Sequence, residues 1–143
     1  MQDRRKNQAG FTLIEIMVVI LILGLLATIV VQSLRGATDK AKRTKAMADI
    51  HEIQTALDRY YLDNGFYPTT DQGLQALVTR PNSGRVPTKY EDGGYIIQRV
   101  PLDPWGNPYF YQSDGNTYAL KSYGADGTEG GEGKNADIDA SQQ

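Results

Sequence analysis

The sequence predicts an α+β chain, a long N-terminal helix packed on a small antiparallel β-sheet. Three observations carry that expectation. Ile16 to Val31 is an uncharged and almost wholly apolar run. Beyond it, Gln32 to Leu62 contains no proline and places Ile50, Ile53, Leu57 and Tyr60 at i, i+3, i+7 and i+10, one face of a 3.6-residue period. Past Pro108 no proline remains, and Tyr109–Gln112 and Thr117–Leu120 flank Ser113-Asp114-Gly115-Asn116, the residue types of a hairpin turn.

A helix over Phe11–Val31 spans about 31 Å at about 1.5 Å per residue, the thickness of a bilayer core. Asp3, Arg4, Arg5 and Lys6 make the first ten residues net basic, so the positive-inside rule puts the N-terminus in the cytoplasm and everything after Gln32 across the membrane. A cleaved secretory signal needs a shorter apolar region and a small-x-small site, which QSLRGATDKA does not offer. The 143 residues carry a formal charge of −2, so with a basic start the remainder is acidic. No basic surface is left to attract nucleic acid.

The helix is expected to run on to Leu62, with Met47 and Tyr61 beside the apolar stripe and Lys42, Lys45, Asp49, Glu52 and Arg59 on the opposite side. Asp63-Asn64-Gly65 supplies the stop. Thr69-Thr70-Asp71-Gln72 reads as a capping box opening a short helix on Leu74, Leu77 and Val78. Pro81 to Gly94 reads as loop, and Tyr95-Ile96-Ile97 as a short strand. Pro101, Pro104 and Pro108 bracket Trp105 in a rigid turn. One face of the hairpin is expected to cover the helix stripe.

Catalysis finds few candidates. There is no cysteine and a single histidine, His51, on the long helix, so nucleophile–base pairs are lacking. No GxxxxGK[ST] phosphate loop is present. Asp58 on the helix and Arg99 before the Pro101 turn form a candidate ion pair, within or between subunits. From Tyr123 onward Asp126, Glu129, Glu132, Asp137 and Asp139 face one cation, Lys134, among many glycines. By composition this reads as a solvated loop. Hard cations such as calcium also take carboxylate and carbonyl oxygens from such loops; the run does not follow the EF-hand spacing.

Glu15 is the conspicuous residue of the apolar segment. It can sit at headgroup level, where a carboxylate costs little. Alternatively, a cut between Gly10 and Phe11 would create an α-amino group, cationic near neutral pH, four residues from the carboxylate. In a bundle of such helices the pair would select one axial stagger.

Gly10 to Ala27, GFTLIEIMVVILILGLLA, resembles the processing signal and N-terminal helix of type IV pilins and pseudopilins, with Phe11, Thr12 and Glu15 in their places. YYLDNGFYPTTDQGLQAL, Gly93-Gly94-Tyr95, Asp103 to Tyr109 (DPWGNPY) and Tyr123 to Gly127 (YGADG) are similar to the major pseudopilins of the type II secretion system. The resemblance runs from Ala9 to about Ile138. It implies a pilin-like fold in which residues 1–10 are a cleaved leader, 11–32 a transmembrane and filament-core helix, and 33–143 a periplasmic domain with a calcium-binding C-terminal loop. It implies cleavage after Gly10 and N-methylation of Phe11 by a prepilin peptidase, and assembly guided by Glu15 with Thr12. The product would be a helical homo-oligomer, a pseudopilus, built with minor pseudopilins and an inner-membrane platform.

For calcium (Ca2+), it implies side-chain oxygens from Asp126 and Asp137 and carbonyls from Tyr123, Thr128 and Ala136, with Glu129 and Glu132 facing solvent. Gln32 departs from a proline common in relatives, and Asp139-Ala140-Ser141 departs from their usual Gly-Asn-Trp. Two alternatives share parts of this pattern. One is a type IV or competence pilin, disfavoured by the missing cysteines; the other is a membrane-anchored monomeric calcium-binding module.

Overall fold

The computed structural model describes residues 11–139. Helix α1 runs Leu13–Asn64, close to the expected bounds. The chain falls into two compact units, Met1–Thr38 and Asp39–Gln143, and α1 contributes to both.

In the first unit, Leu13–Val30 is long and apolar enough to cross a membrane, and none of it is buried. Its large apolar side chains stand open, from Leu13 through Ile20 to Ile29. Exposed apolar area on this scale needs lipid or neighbouring apolar helices to cover it. The one hydroxyl inside the stretch is satisfied within the helix, Thr28 Oγ1 donating to Gly24 O at 3.0 Å.

In the second unit, the predicted stripe is the core face. Ile50, Ile53, Leu57 and Tyr60 are at most 1 % exposed, with Ala46 and Ala56 alongside. Met47 and Tyr61 lie outside it, exposed. Asp49 corrects the expectation of a polar face: it is buried at the edge of the stripe. Its Oδ2 accepts from Tyr109 Oη at 3.1 Å and Lys45 Nζ at 2.6 Å. Burial and this carboxylate push the Tyr109 hydroxyl well above the usual tyrosine range. The helix stops where the sequence places the stop. Gly65 adopts φ 75, and its N–H donates to Tyr61 O at 2.7 Å, a left-handed cap.

Two expectations after the cap need correction. Gln72 Oε1 does accept from Thr69 N at 3.0 Å, as in a capping box, yet Leu74–Leu77 is a single 3-10 turn. Gly73, at φ 60, turns the chain before an α-helix can propagate. The Gln72 amide then donates to Ser83 O and Arg85 O, holding the proline-rich loop. Tyr95-Ile96-Ile97 is not a strand. The Tyr95 and Ile96 N–H groups both donate to Leu77 O, at 2.7 and 2.9 Å. Gly94, at φ 84, lies so close that a Cβ would sit 2.6 Å from Val78 O.

The sheet has three antiparallel strands in the order β1-β2-β3: β1 Phe110–Ser113, β2 Tyr118–Ser122 and β3 Ile138–Asp139. Tyr111 faces Leu120, Ser113 faces Tyr118, and Ser122 faces Ile138. The hairpin matches the reading to within a residue or two. Its turn closes on Asp114, whose Oδ1 accepts from Asn116 N and Thr117 N, both at 2.8 Å. These N–H groups hold the Asp114 carboxyl below the usual range. β3 was not expected, because two residues carry no alternation. It is anchored by Ile138, buried with Leu120 and Tyr109. Tyr60 packs edge-on to Phe66 at 5.8 Å between ring centroids. Its buried hydroxyl has no partner among the described residues, and burial pushes it up to about 12.

Candidate functional sites at the helix start and in the C-terminal loop

The first site is the start of α1. Thr12 N donates to Glu15 Oε2 at 3.2 Å, and Glu15 N donates to Thr12 Oγ1 at 3.4 Å. Thr12 Oγ1 also approaches Glu15 Oε2 at 3.4 Å. This is a reciprocal capping box, which satisfies first-turn N–H groups and sets a negative charge at the positive end of the helix dipole. The spacing Thr12-x-x-Glu15 carries this signal, which neither the headgroup nor the amine-partner reading of Glu15 includes. Phe11, next to the box, is 83 % exposed. Gly10, on the other side of the expected cut, lies outside the described residues, as does the Gln32 side chain.

The second site is the acidic loop between β2 and β3. It holds two 3-10 turns, Gly124–Asp126 and Gly133–Asn135. The two arms meet: a Cβ on Gly124 would lie 2.8 Å from Asn135 O and 3.0 Å from Ala136 O. Asp126 Oδ1 accepts from Thr128 N at 3.2 Å. Asp137 Oδ1 accepts from Gly130 N at 2.9 Å, and its Oδ2 lies 3.9 Å from Lys121 Nζ. Tyr123 packs at a tilt against Phe110, 5.4 Å between ring centroids.

The loop's cations are not the one its own segment supplies. Lys134 is exposed. Lys121, from β2, binds Glu129 Oε1 at 2.7 Å and lies 5.5 Å from the Tyr123 ring centroid. Arg43, from α1, donates through Nη1 to Ala136 O at 2.9 Å and Gly133 O at 3.2 Å. The hydrogen bond between Lys121 and Glu129 raises the amine's pKa and lowers the carboxyl's. The pair therefore weakens as pH falls through the depressed Glu129 value or rises through the elevated Lys121 value. Glu132 is exposed, as expected.

Among the described residues, no three His, Cys, Asp or Glu side chains gather as a metal site. An ion in this loop would draw most of its ligands from main-chain carbonyls, with Asp126 and Asp137 supplying charge. An all-oxygen set of this kind suits a hard cation rather than zinc or copper. The Ala136 carbonyl is already engaged by Arg43.

A further polar node was not anticipated. Asp103, in the DPWGNPY turn, is 4 % exposed. Its Oδ1 accepts from Trp105 N at 3.1 Å and Asn107 N at 2.8 Å, and its Oδ2 from the buried Ser122 Oγ at 2.8 Å. An Asp two residues before a backbone N–H in a proline-bracketed turn is the available local signal. Asp58 and Arg99 are both exposed. Asp58 Oδ1 accepts from Tyr67 Oη at 3.4 Å, and no ion pair joins Asp58 to Arg99 among the described residues.

The prokaryotic N-terminal methylation motif matches residues 5–31, and the type II secretion system protein G family matches residues 33–141. The chain belongs to the protein G family of the type II secretion system. Its relatives include type II secretion system core protein G of Vibrio cholerae, 54% identical over 137 residues, covering 94% of this chain and 92% of that protein. Core protein G of Pseudomonas aeruginosa is 50% identical over 137 residues, covering 94% and 96%. A crystal structure of the major pseudopilin from the type 2 secretion system of enterohaemorrhagic Escherichia coli aligns with TM-score 0.64 and 41% identity. It covers 74% of this chain and 87% of that one. Protein G is a structural pseudopilin family, not an enzyme family, so this chain is a structural subunit of the type II secretion pseudopilus. The type IV pilin alternative gives way to that match. The methylation motif and the exposed apolar helix fit a membrane-anchored subunit.

Proposed function

We propose that this subunit is made as an inner-membrane precursor with its N-terminus in the cytoplasm and residues beyond the apolar stretch in the periplasm. A prepilin peptidase cleaves after Gly10 and methylates Phe11. The subunits then pack helix against helix, with minor pseudopilins and an inner-membrane platform, into a helical filament whose growth moves folded proteins across the outer membrane. The observation that supports this best is Leu13–Val30, charged only at Glu15 and uncovered among the described residues. Such a surface serves first as an anchor in lipid and then as filament core. Asp58 and Arg99, exposed and unpaired with one another within the subunit, are available to pair across a subunit boundary. The processing step is tested by the intact mass of the membrane-extracted chain, with and without co-expressed prepilin peptidase. A peptidase-dependent species beginning at N-methylated Phe11 is expected. A Met1 start under both conditions would favour an anchored monomer.

The loop is proposed to bind calcium through Asp126 and Asp137 together with carbonyls such as those of Tyr123 and Thr128. The oxygen-only donor set and the close approach of the two arms at Gly124 support this. At a free calcium concentration about 100 times Kd, binding stabilises by about 2.7 kcal/mol. Chelation of the mature chain in detergent is therefore expected to lower Tm by about 10–20 °C, and Asp137→Ala to abolish that response. A melting curve indifferent to chelator would remove the calcium reading.

A further inference from the structure

We propose that Arg43 is a resident cation of the C-terminal loop, holding the Gly133–Ala136 arm on α1 whether or not a metal ion is bound at Asp126 and Asp137. This rests on the calcium reading for the division of labour, but not for the Arg43 contact itself. The Gly131–Ala136 arm buries no apolar side chain. Gly131 and Gly133 sit at φ 87 and 60, and glycine loses more conformational freedom on ordering than any other residue. Hydrophobic anchoring therefore begins only at Ile138, beyond the arm, and does not fix Gly133–Ala136 itself.

What does reach it is a guanidinium from 90 and 93 residues earlier in the chain, donating to two main-chain oxygens. Arginine stays charged at all accessible pH, and a charged donor makes a stronger hydrogen bond than a neutral one. Arg43 thus plays at Gly133 O and Ala136 O the part that a bound cation plays for carbonyl ligands. The opposite arm is organised differently. Its Thr128 and Gly130 N–H groups are held by Asp126 and Asp137, the carboxylates an incoming ion would also draw upon. Ion occupancy therefore governs the 126–130 arm, on which Asp137 reaches across to Gly130 N, and Arg43 governs the 133–136 arm that leads into Asp137. Ala136 O belongs to Arg43, and a bound ion completes its shell with other oxygens.

Residue-resolved amide hydrogen exchange on the full mature chain in detergent micelles, with calcium or with chelator, tests this. In the wild type, chelation is expected to speed exchange at Thr128 and Gly130 and to leave Asn135 and Ala136 within about twofold. The Asn135 and Ala136 amides close that arm's turn onto Glu132 O and Gly133 O. Arg43→Gln is expected to speed Asn135 and Ala136 about tenfold even with calcium present. Lys40→Gln, removing an exposed cation on the same helix, is the control expected to change neither arm. Ladder amides of β2 report whether Arg43→Gln remains folded. Wild-type rates at Asn135 and Ala136 in a folded Arg43→Gln protein would overturn the proposal. So would chelation freeing both arms equally in the wild type. If chelator moves no amide while Arg43→Gln still frees 135 and 136, the calcium reading fails and the Arg43 contact stands.

Discussion

Asp103→Ala is expected to lower stability by about 3 kcal/mol. Two backbone N–H groups and the fully buried Ser122 hydroxyl lose their acceptor together. Hydrogen bonds to charged groups contribute roughly 1.5–3 kcal/mol each, and a buried donor left alone costs about 1–3. These terms do not add, because the turn relaxes and water reaches part of it. For a folded unit of this size about 3 kcal/mol corresponds to a fall in Tm of about 12–24 °C. Asp103→Asn separates the contributions. Its carbonyl oxygen can still receive Trp105 N and Asn107 N, and its amide can donate to a reoriented Ser122 Oγ, so a loss of about 1 kcal/mol is expected. Thermal unfolding followed by circular dichroism measures both variants. An alanine variant within 1 kcal/mol of wild type would show that the DPWGNPY turn is held by its prolines and backbone hydrogen bonds without the Asp103 carboxylate.

Glu15→Ala is expected to leave membrane insertion and cleavage intact and to abolish filament assembly. Alanine removes half of the capping box, a cost of about 1 kcal/mol at the helix start, and removes the charge proposed to select an axial stagger between helices. Glu15→Gln distinguishes these contributions, because glutamine serves in the same box without charge. Electron microscopy of filaments, alongside the intact masses of the subunits, gives the readout. If both variants are processed and neither assembles, the charge is what assembly needs. If glutamine restores filaments, the cap suffices and the registry role of Glu15 is wrong.

How much could be read beforehand depended on how local each signal was. The apolar stretch, the amphipathic stripe, the Gly65 stop and the Asp114 turn were legible, since each rests on a few consecutive residues and one backbone preference. The Thr12–Glu15 box is equally local, but the same carboxylate also suits the amine that cleavage would create, so its spacing has two readings. The Leu74 turn failed as a helix on a single residue, Gly73, whose positive φ outweighed a sound capping signal. Family membership was also in the chain itself, because the processing motif and DPWGNPY are contiguous.

What the sequence determined alone was therefore the long helix with its uncovered apolar start, the hairpin and the class of protein. Tertiary structure alone decided which distant groups meet. Asp49 looked solvent-facing on a helical wheel, and it is buried because Tyr109 arrives from elsewhere to donate to it. Tyr95 and Ile96 looked like a strand, and they fold onto Leu77 O because glycines bring the chain too close for a ladder. The acidic loop seemed to have only Lys134, and it is held by Lys121 and Arg43. Local preferences act over a few residues, whereas the partner of a buried charge or carbonyl is chosen by packing across the whole unit, which no short stretch of sequence contains.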